Sequence, residues 1–306
     1  MRCSDKTLKL LAEKSGESVE YWERLFEAND LSDNFIAPMG AVSTGDADYP
    51  FFLDGNGNEI EVKRDRKNKP NKKGAPELLL YWGAISLLNE ENFQKNVAVI
   101  GVLDPSESII EREKKFVAKL VKSGMNIVSG LAEGCDAISH ETCIENGGKT
   151  IAVLPCPLDH ISPAKNRNLA MKIIESGGLL ITEYFDQPKN RYDAVGRYVE
   201  RDRLQAYFSK TIILTASYRE DKSGISYPDD GKKRDCGSRH AMNISGNIMR
   251  TRYVMYNEKT DSEDEMFDLN RDLLKEENVK VITQNELQKI SENQILPALS
   301  LFEQDE

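Results

Sequence analysis

Residues 124–140 have the order of residue types expected of a phosphate-binding turn. A short β-branched run leads into Ser129-Gly130, Gly134 follows four residues later, and a helical pattern begins at Asp136. This order predicts a strand, a tight glycine turn and the N-terminus of a helix. Such a junction presents backbone N–H groups and the positive end of a helix dipole to an anion. We therefore expect it to bind a phosphate, carried by a nucleotide, a small ligand or a nucleic-acid backbone.

Glycine and polar residues also follow the other predicted strands. In a parallel sheet the carboxyl ends of the strands share one edge, and ligands bind there. Five arginines would then surround the glycine turn, namely Arg167, Arg197, Arg201, Arg203 and Arg239. Each one alone is equally well explained by a surface ion pair, such as Arg201 with Asp202. Their joint occurrence favours a groove for an anionic ligand.

The full set of candidate DNA- or phosphate-binding residues joins the glycine turn to these neighbouring segments. It consists of Gly101, Ser129, Gly130, Gly134, Asp136, Lys165, Asn166, Arg167, Arg201, Arg203, Gly237, Ser238 and Arg239.

Other chemical motifs are weaker. Residues 147–150, Gly-Gly-Lys-Thr, resemble the end of a nucleotide-binding P-loop, but the first glycine of that motif falls on Cys143. The glycines also end a helix, whereas a P-loop begins one, so we interpret Gly147 as a helix C-cap. The three histidines lack the spacing of a metal site, and no G-x-S-x-G nucleophile elbow is present. We therefore expect no catalytic residue, no metal site and no cofactor.

The elements that must position these residues alternate regularly from residue 96 onward. Apolar runs predict strands at 97–101, 127–128, 150–154, 179–181, 211–214 and 253–255, with helical patterns between them. Continuous apolar strands separated by helices are typical of a parallel sheet covered on both faces. The predicted fold is therefore α/β, with a Rossmann-like, doubly wound, mostly parallel sheet. The helix before the strand at 211 is expected over about 199–208, opened by the segment around Arg197 to Arg203.

The chain divides into four predicted segments. They are a helical N-terminal extension (1–45), a lead-in (46–95), the Rossmann-like core (96–257) and an acidic linker with a short αβα-like tail (258–306). The extension holds two helices broken at Ser15-Gly16, and residues 32–60 are expected to be irregular. The basic loop at 62–73 is either a mobile solvated loop or an arm that contacts a nucleic-acid backbone.

Composition narrows the class of protein. The 306 residues carry a net charge of −10 at pH 7, with 39% hydrophobic and 30% charged residues. The negative charge argues mildly against a surface that binds nucleic acid throughout, but it allows a local basic patch. No apolar run approaches the roughly 20 residues of a membrane helix, no secretory signal is visible, and the five cysteines form no CxxC pair. We therefore expect a cytoplasmic protein with reduced thiols and no membrane partner.

The ordered motifs resemble the DprA/Smf (DNA-processing protein A) family over roughly residues 46–285. The motifs are Asp48-Tyr49-Pro50, Ser129 to Asp136 with His140, Gly147 to Leu154, Leu158-Asp159, Asn166-Arg167, Glu183-Tyr184, Arg201-Asp202-Arg203 and Gly237-Ser238. The resemblance implies a non-catalytic protein that binds single-stranded DNA. It also implies a role in DNA uptake and recombination, in which the protein supports loading of a RecA-type recombinase. We expect a homodimer.

Two residues depart from the family's pattern. Leu103 and Glu133 stand where the family has arginines, and no winged-helix pattern follows the core. A carboxylate at position 133 repels a phosphate unless a cation offsets it. The alternative function is a nucleotide-ligand sensor or nucleotide-processing enzyme on the same fold, in mobile-element or phage-defence biology. A third is a structural or interaction module.

Overall fold

The computed structural model describes residues 3–30, 37–65, 74–220 and 237–299. These residues form one nine-stranded sheet in the order β1-β2-β6-β5-β4-β3-β7-β8-β9. The strands are β1 (Met39–Ser43), β2 (Leu78–Gly83), β3 (Asn96–Ile100), β4 (Asn126–Ser129), β5 (Thr150–Leu154), β6 (Leu179–Thr182), β7 (Thr211–Leu214), β8 (Thr251–Val254) and β9 (Val279–Val281). The seven neighbouring strands β6-β5-β4-β3-β7-β8-β9 are parallel to one another. Strands β1 and β2 add an antiparallel edge beside β6.

Helices cover both faces of the sheet. They are α1 (Asp5–Ser15), α2 (Val19–Asp30), α3 (Glu90–Phe93), α4 (Glu107–Lys122), α5 (Cys135–Glu145), α6 (Arg167–Glu175), α7 (Arg191–Tyr207), α8 (Ser238–Asn247), α9 (Glu258–Asp261), α10 (Asp268–Leu273) and α11 (Gln284–Leu299). Helices α4, α5, α6 and α11 pack on one face together with α1 and α2, while α7, α8 and α10 pack on the other. The predicted Rossmann-like, doubly wound fold is confirmed.

Strand β3 shows why the apolar runs become buried strands. Val97 and Val99 face the core formed with α4, and Ala98 and Ile100 face the opposite core formed with α7 and α8. Successive side chains of a strand point to opposite faces, so a strand covered on both sides needs an unbroken apolar sequence.

The order of the strands identifies the position at which a ligand groove opens. The chain winds from β3 through β4 and β5 to β6, crosses the sheet along α7, and winds from β7 outward in the opposite direction. The reversal lies between β3 and β7, which are hydrogen-bonded to each other. In open α/β sheets, ligands bind beyond the carboxyl ends of the strands at this reversal.

Three local expectations need correction or extension. The stretch 32–60 is not wholly irregular, because β1 lies within it and pairs with β2. Helix α7 begins at Arg191 instead of near residue 199, because the Asn190 side chain accepts hydrogen bonds from the N–H groups of Tyr192 and Asp193 at 2.9 and 3.0 Å. In the acidic tail, β9 pairs with β8 and so extends the main sheet.

Two further points concern the predicted basic loop and membrane association. Residues 66–73 of the basic loop lie outside the described residues, while Arg64 forms an ion pair with Glu77. Within the part of the chain that the structure describes, no helix combines the length and the apolar character that crossing a membrane requires.

Candidate functional site at the glycine turn

The turn between β4 and α5 is held by internal hydrogen bonds. The N–H groups of Gly130 and Ala132 both donate to Asp136 Oδ2, at 3.1 and 3.3 Å. The Cys135 N–H donates to the Val102 carbonyl at 3.1 Å. Among the described residues, the N–H groups of Glu133 and Gly134 have no protein acceptor. These two donors lie at the N-terminus of α5, where they are available to an anion.

The two glycines of the turn are required for different reasons. Gly134 has φ 72° and ψ −130°, and a Cβ atom there would lie 2.3 Å from the Val102 carbonyl oxygen. Gly130 leaves room for an arginine, because a Cβ atom there would lie 1.3 Å from Arg201 Nη1. The sequence identified both glycines but could not show that Gly130 makes space for a side chain from α7.

Asn166 supports the turn from the neighbouring loop. Its Nδ2 donates to the carbonyl groups of Leu131 and Ala132, at 2.9 and 3.0 Å. Leu131 is fully buried and has a left-handed backbone with φ 58°, a conformation that a leucine rarely adopts without such support. Asn166 was predicted to bind phosphate, but its side-chain amide group instead stabilises the turn.

Two cations beside Asn166 face solvent. Lys165 has a side chain that is 74% exposed, and its Nζ lies 3.1 Å from Glu133 Oε2. Arg167 is also exposed, and its Nε donates to the Ile161 carbonyl at 3.3 Å. The negative charge of Glu133 is thus offset by Lys165, so this carboxylate does not prevent a phosphate from binding at the turn.

Arg201 lies under the turn and is only 3% exposed. Its Nη1 is 3.7 Å from Asp136 Oδ2 and its Nε is 3.6 Å from Asp202 Oδ1. Neither distance is a hydrogen bond, and Nε is buried without an acceptor among the described residues. The guanidinium therefore adds positive charge to the floor of the turn while keeping unused donors.

Arg203 and Arg197 are buried away from the turn. Arg203 donates to Glu183 at 2.6 Å and to the Gly74 carbonyl at 3.1 Å. Burial lowers the pKa of Arg203, but the Glu183 carboxylate outweighs this effect and the pKa is raised overall. Arg197 forms ion pairs with Asp186 and Asp193. The structure does not bring these two arginines to the glycine turn.

The remaining candidates divide between two places. Ser238 Oγ lies 3.4 Å from the Gly101 carbonyl oxygen, so Gly101, Gly237 and Ser238 meet at the reversal between β3 and β7. A Cβ atom on Gly101 would lie 2.6 Å from Cys135 Sγ, which places this group directly beside α5. Arg239 instead pairs with Glu220 at 2.8 Å and lines a separate cavity of about 300 Å³. The turn, Ser129 included, thus gathers most of the predicted residues, but not Arg203 or Arg239.

Two buried ionisable groups flank the turn. His140 is fully buried with its Nδ1 2.6 Å from Thr150 Oγ1, and burial together with the Arg201 charge lowers its pKa to about 3. The imidazole is therefore neutral. Glu113 on α4 is also fully buried and accepts a hydrogen bond from Ser139 Oγ at 2.6 Å. Sequence analysis missed Glu113, although it interrupts the apolar pattern that Ile109, Phe116 and Val117 establish.

The described residues show no metal-binding group. No three histidine, cysteine, aspartate or glutamate side chains among them lie close enough to hold an ion. Four cysteines, at positions 3, 135, 143 and 156, are free and buried, and burial raises their pKa values. Their thiols are thus protonated at neutral pH and poorly nucleophilic.

The fold and the turn together define a Rossmann-like protein with a candidate anion site at the reversal of its parallel sheet. A model of the family described as DNA recombination-mediator protein A matches residues 44–226, more than half of the chain. The chain therefore belongs to this family, the DprA/Smf family that the motifs resemble.

Curated relatives match over part of their length. Protein Smf of Borreliella burgdorferi is 36% identical over 129 residues, which is 42% of this chain and 39% of that protein. DNA processing protein DprA of Streptococcus pneumoniae is 40% identical over 157 residues, 50% of this chain and 51% of that protein. The matched region thus spans about two-fifths to one-half of these relatives.

Solved structures share the fold. DprA of Streptococcus pneumoniae has a TM-score of 0.60 at 23% identity and covers 81% of this chain and 72% of its own. DprA of Helicobacter pylori, which binds single-stranded DNA, has a TM-score of 0.59 at 21% identity. The match covers 83% of this chain and 96% of the Helicobacter pylori chain.

Proposed function

We propose that this protein binds single-stranded DNA through phosphates placed at the glycine turn, and that it acts in DNA processing without catalysing a reaction. The observation that carries the proposal is the pair of exposed cations, Lys165 and Arg167, beside the open N–H groups of Glu133 and Gly134. Contacts of this kind are made to the sugar-phosphate backbone of the DNA and therefore depend little on its base sequence.

The buried charges suit the same ligand. Arg201 places a positive charge beneath the turn, and it compensates Asp136, which otherwise presents a carboxylate to the approaching phosphate. A chain with a net charge of −10 then meets DNA through a local basic site. The family membership and the DNA-binding relative from Helicobacter pylori support this choice of ligand. The proposal extends to cytoplasmic DNA uptake or recombination, to a homodimer and to support of a RecA-type recombinase.

A salt titration with two alanine substitutions tests the DNA site. Lys165→Ala combined with Arg167→Ala is expected to weaken binding of a single-stranded oligonucleotide by about tenfold or more at low salt. Each lost phosphate contact also reduces the slope of log affinity against log salt by about 0.7 for single strands, so the slope falls by about 1.4. Fluorescence anisotropy across a salt series, with a duplex of equal length for comparison, measures both quantities.

The matched control removes the same charge elsewhere. Lys115 and Lys122 are exposed on α4, and their double alanine variant is expected to keep the wild-type slope. Absence of oligonucleotide binding at low salt, or an equal effect of both double variants, contradicts the proposal. Stabilisation of the protein by a mononucleotide, with no effect of oligonucleotides, favours the nucleotide-ligand alternative. Arg203→Ala is a poor probe of DNA contact, because it removes the cation that is ion-paired with the buried Glu183 and so destabilises the fold.

Glu133 provides a gain-of-binding test. Glu133→Arg removes a carboxylate beside the proposed phosphate and releases Lys165 from its ion pair, so DNA affinity is expected to rise by about three- to tenfold at low salt. Glu145→Arg makes the same change at the exposed far end of α5 and is expected to raise affinity by less than about twofold. Equal affinities for Glu133→Arg and the wild type in anisotropy measurements mean that the phosphate does not lie at this turn.

A further inference from the structure

A buried carboxyl group lies beside the helix that begins at the glycine turn. Glu113 projects from α4 and is fully buried. Its Oε1 accepts a hydrogen bond from Ser139 Oγ on α5 at 2.6 Å. Its Oε2 is also buried, and no described residue gives it a hydrogen bond of ordinary geometry. A carboxylate in such a place loses the solvation that water provides, so the site favours the neutral acid.

The surroundings of the Glu113 carboxyl group place it at the reversal of the sheet. Its polar and ionisable neighbours come from the first two turns of α5 and from the carboxyl end of β7, and they are Cys135, Asp136, Ser139 and Thr215. The end of β3 lies against two of them, because a Cβ atom on Gly101 would lie 2.6 Å from Cys135 Sγ and 3.2 Å from Thr215 Cβ. The carboxyl group therefore lies in the interior of the same region that presents the glycine turn.

The buried carboxyl group and the proposed phosphate share one helix terminus. Helix α5 begins at Cys135, and the open N–H groups of Glu133 and Gly134 immediately precede it. An α-helix rises about 1.5 Å per residue, so Ser139 is about 7 Å along the axis from Gly134. An ionised Glu113 and a phosphate at the turn would thus be two negative charges on the order of 10 Å apart. They would repel each other, and both would draw on the positive end of the same helix dipole.

We infer that Glu113 is a proton switch for the glycine turn, neutral when a phosphate occupies the turn and weakening the bound phosphate when it ionises. This inference rests on the proposed function and adds a regulation of the same site. The coupling is reciprocal, because a phosphate at the turn makes Glu113 harder to ionise, and a proton on Glu113 makes the phosphate easier to bind. The proton is exchanged with the solvent, and no covalent bond to the ligand is formed.

The pH range of the switch follows from the environment of the carboxyl group. Burial raises the pKa of Glu113 to about 8. Affinity for a single-stranded oligonucleotide is therefore expected to fall by about three- to tenfold between about pH 7 and pH 9.5, and to level off on either side. The direction follows from the protons bound: the DNA-bound protein holds more protons than the free protein in this range, so affinity decreases as pH rises.

The other groups near Glu113 do not produce the same profile. Burial raises the pKa of Cys135 well above its ordinary value, so the thiol stays protonated. Burial together with the Arg201 charge lowers the pKa of His140 to about 3, so the imidazole stays neutral. Asp136 is the charged neighbour on α5, and its Oδ2 lies 3.7 Å from the Arg201 guanidinium. These three side chains remain in place when Glu113 alone is changed.

Fluorescence anisotropy at constant ionic strength and a series of pH values tests the switch. Glu113→Gln keeps the size of the side chain but cannot ionise, so the fall in affinity between about pH 7 and pH 9.5 is expected to disappear. Glu111→Gln changes an exposed carboxyl group on the same helix and is expected to retain the wild-type profile. Thermal unfolding at each pH verifies that the three proteins are folded at the assay temperature.

Calorimetric titration of the wild type in two buffers of different ionisation enthalpy gives a readout that needs no variant. At about pH 8.5, binding is expected to take up roughly 0.3–0.5 proton per site, and Glu113→Gln is expected to take up almost none. Affinity that is independent of pH, or a fall that Glu113→Gln retains, overturns the inference and leaves DNA binding intact. Absence of oligonucleotide binding at every pH overturns the proposed function and this inference with it.

Discussion

Gly134→Ala is expected to lower the free energy of unfolding by about 3–5 kcal/mol. The added Cβ atom would lie 2.3 Å from the Val102 carbonyl oxygen, and the backbone at φ 72° and ψ −130° is a conformation that only glycine adopts readily. Because the obstacle is backbone, no side-chain rotation relieves it. For a domain of this size such a loss lowers the Tm by roughly 6–20 °C. Thermal and denaturant unfolding measure the two quantities.

Gly147→Ala is the matched control for this substitution. Gly147 has φ 75° at the end of α5, but a Cβ atom there would meet no heavy atom within 4 Å. It is expected to cost about 1–2 kcal/mol, the strain of the left-handed backbone alone. If the two variants are equally destabilised, the contact with Val102 is not the rigid constraint described. Oligonucleotide binding is expected to be lost only in Gly134→Ala, because only that change moves the open N–H groups.

Stability is expected to fall as pH rises from about 6.5 to about 8, and Glu113→Gln is expected to remove most of this fall. Between about pH 4.5 and 6.5 the lowered pKa of the buried His140 gives the opposite dependence, so the effects of the two groups offset each other there. Burial is the main cause that raises the pKa of Glu113 from 4.5 to about 8, and the nearby Asp136 carboxylate adds to its effect. Hydrogen bonds to the Glu113 side chain lower the pKa, but their effect is weaker than that of burial. The folded state therefore holds a proton that the unfolded state releases. A raised pKa contributes stability that is complete below the unfolded pKa and is lost as pH passes through the folded pKa, up to about 4–5 kcal/mol here.

The side-chain amide that Glu113→Gln introduces stays neutral and remains within reach of Ser139. The unfolding free energy of this variant is therefore expected to rise with pH up to about 6.5 because of His140, to stay nearly flat from there to about pH 8, and to exceed that of the wild type above pH 8. The groups that face Glu113 are Cys135, Asp136, Ser139 and Thr215. Burial raises the pKa of Cys135, so this thiol stays protonated over the range. Glu111→Gln changes an exposed carboxyl on the same helix and serves as control. Parallel pH profiles for wild type and Glu113→Gln contradict the assignment.

The parts of the fold that follow from local pattern were predictable. Strands such as β3 and β5 are unbroken apolar runs, and helices between them begin and end at polar or glycine residues. Gly147, predicted as a C-cap, has the left-handed backbone that such a cap requires. The family assignment from ordered motifs is likewise confirmed. These features depend on neighbouring residues in the chain, which the sequence displays directly.

The contacts of the site could not be predicted, because they depend on the direction in which each side chain projects from its helix. Arg201 and Arg203 are two residues apart on α7, so they point in different directions, and only Arg201 reaches the glycine turn. The first two turns of α7 were not predicted, because the isolated Gly196 lowers the helical signal of that stretch. Glu113 needed the position of α5 before its burial was evident.

The strand order also has a consequence for synthesis of the chain on the ribosome. Strand β3 is hydrogen-bonded to β4 on one side, but its other neighbour, β7, ends only at residue 214. At about 5–20 residues per second, the interval between completion of β3 and of β7 lasts on the order of 6–20 s. Throughout this interval, β3, which is an interior strand of the finished sheet, has one unpaired edge, and such an edge is a template for association with other chains. Temporary exposure of this strand edge during synthesis is therefore a consequence of the strand order itself.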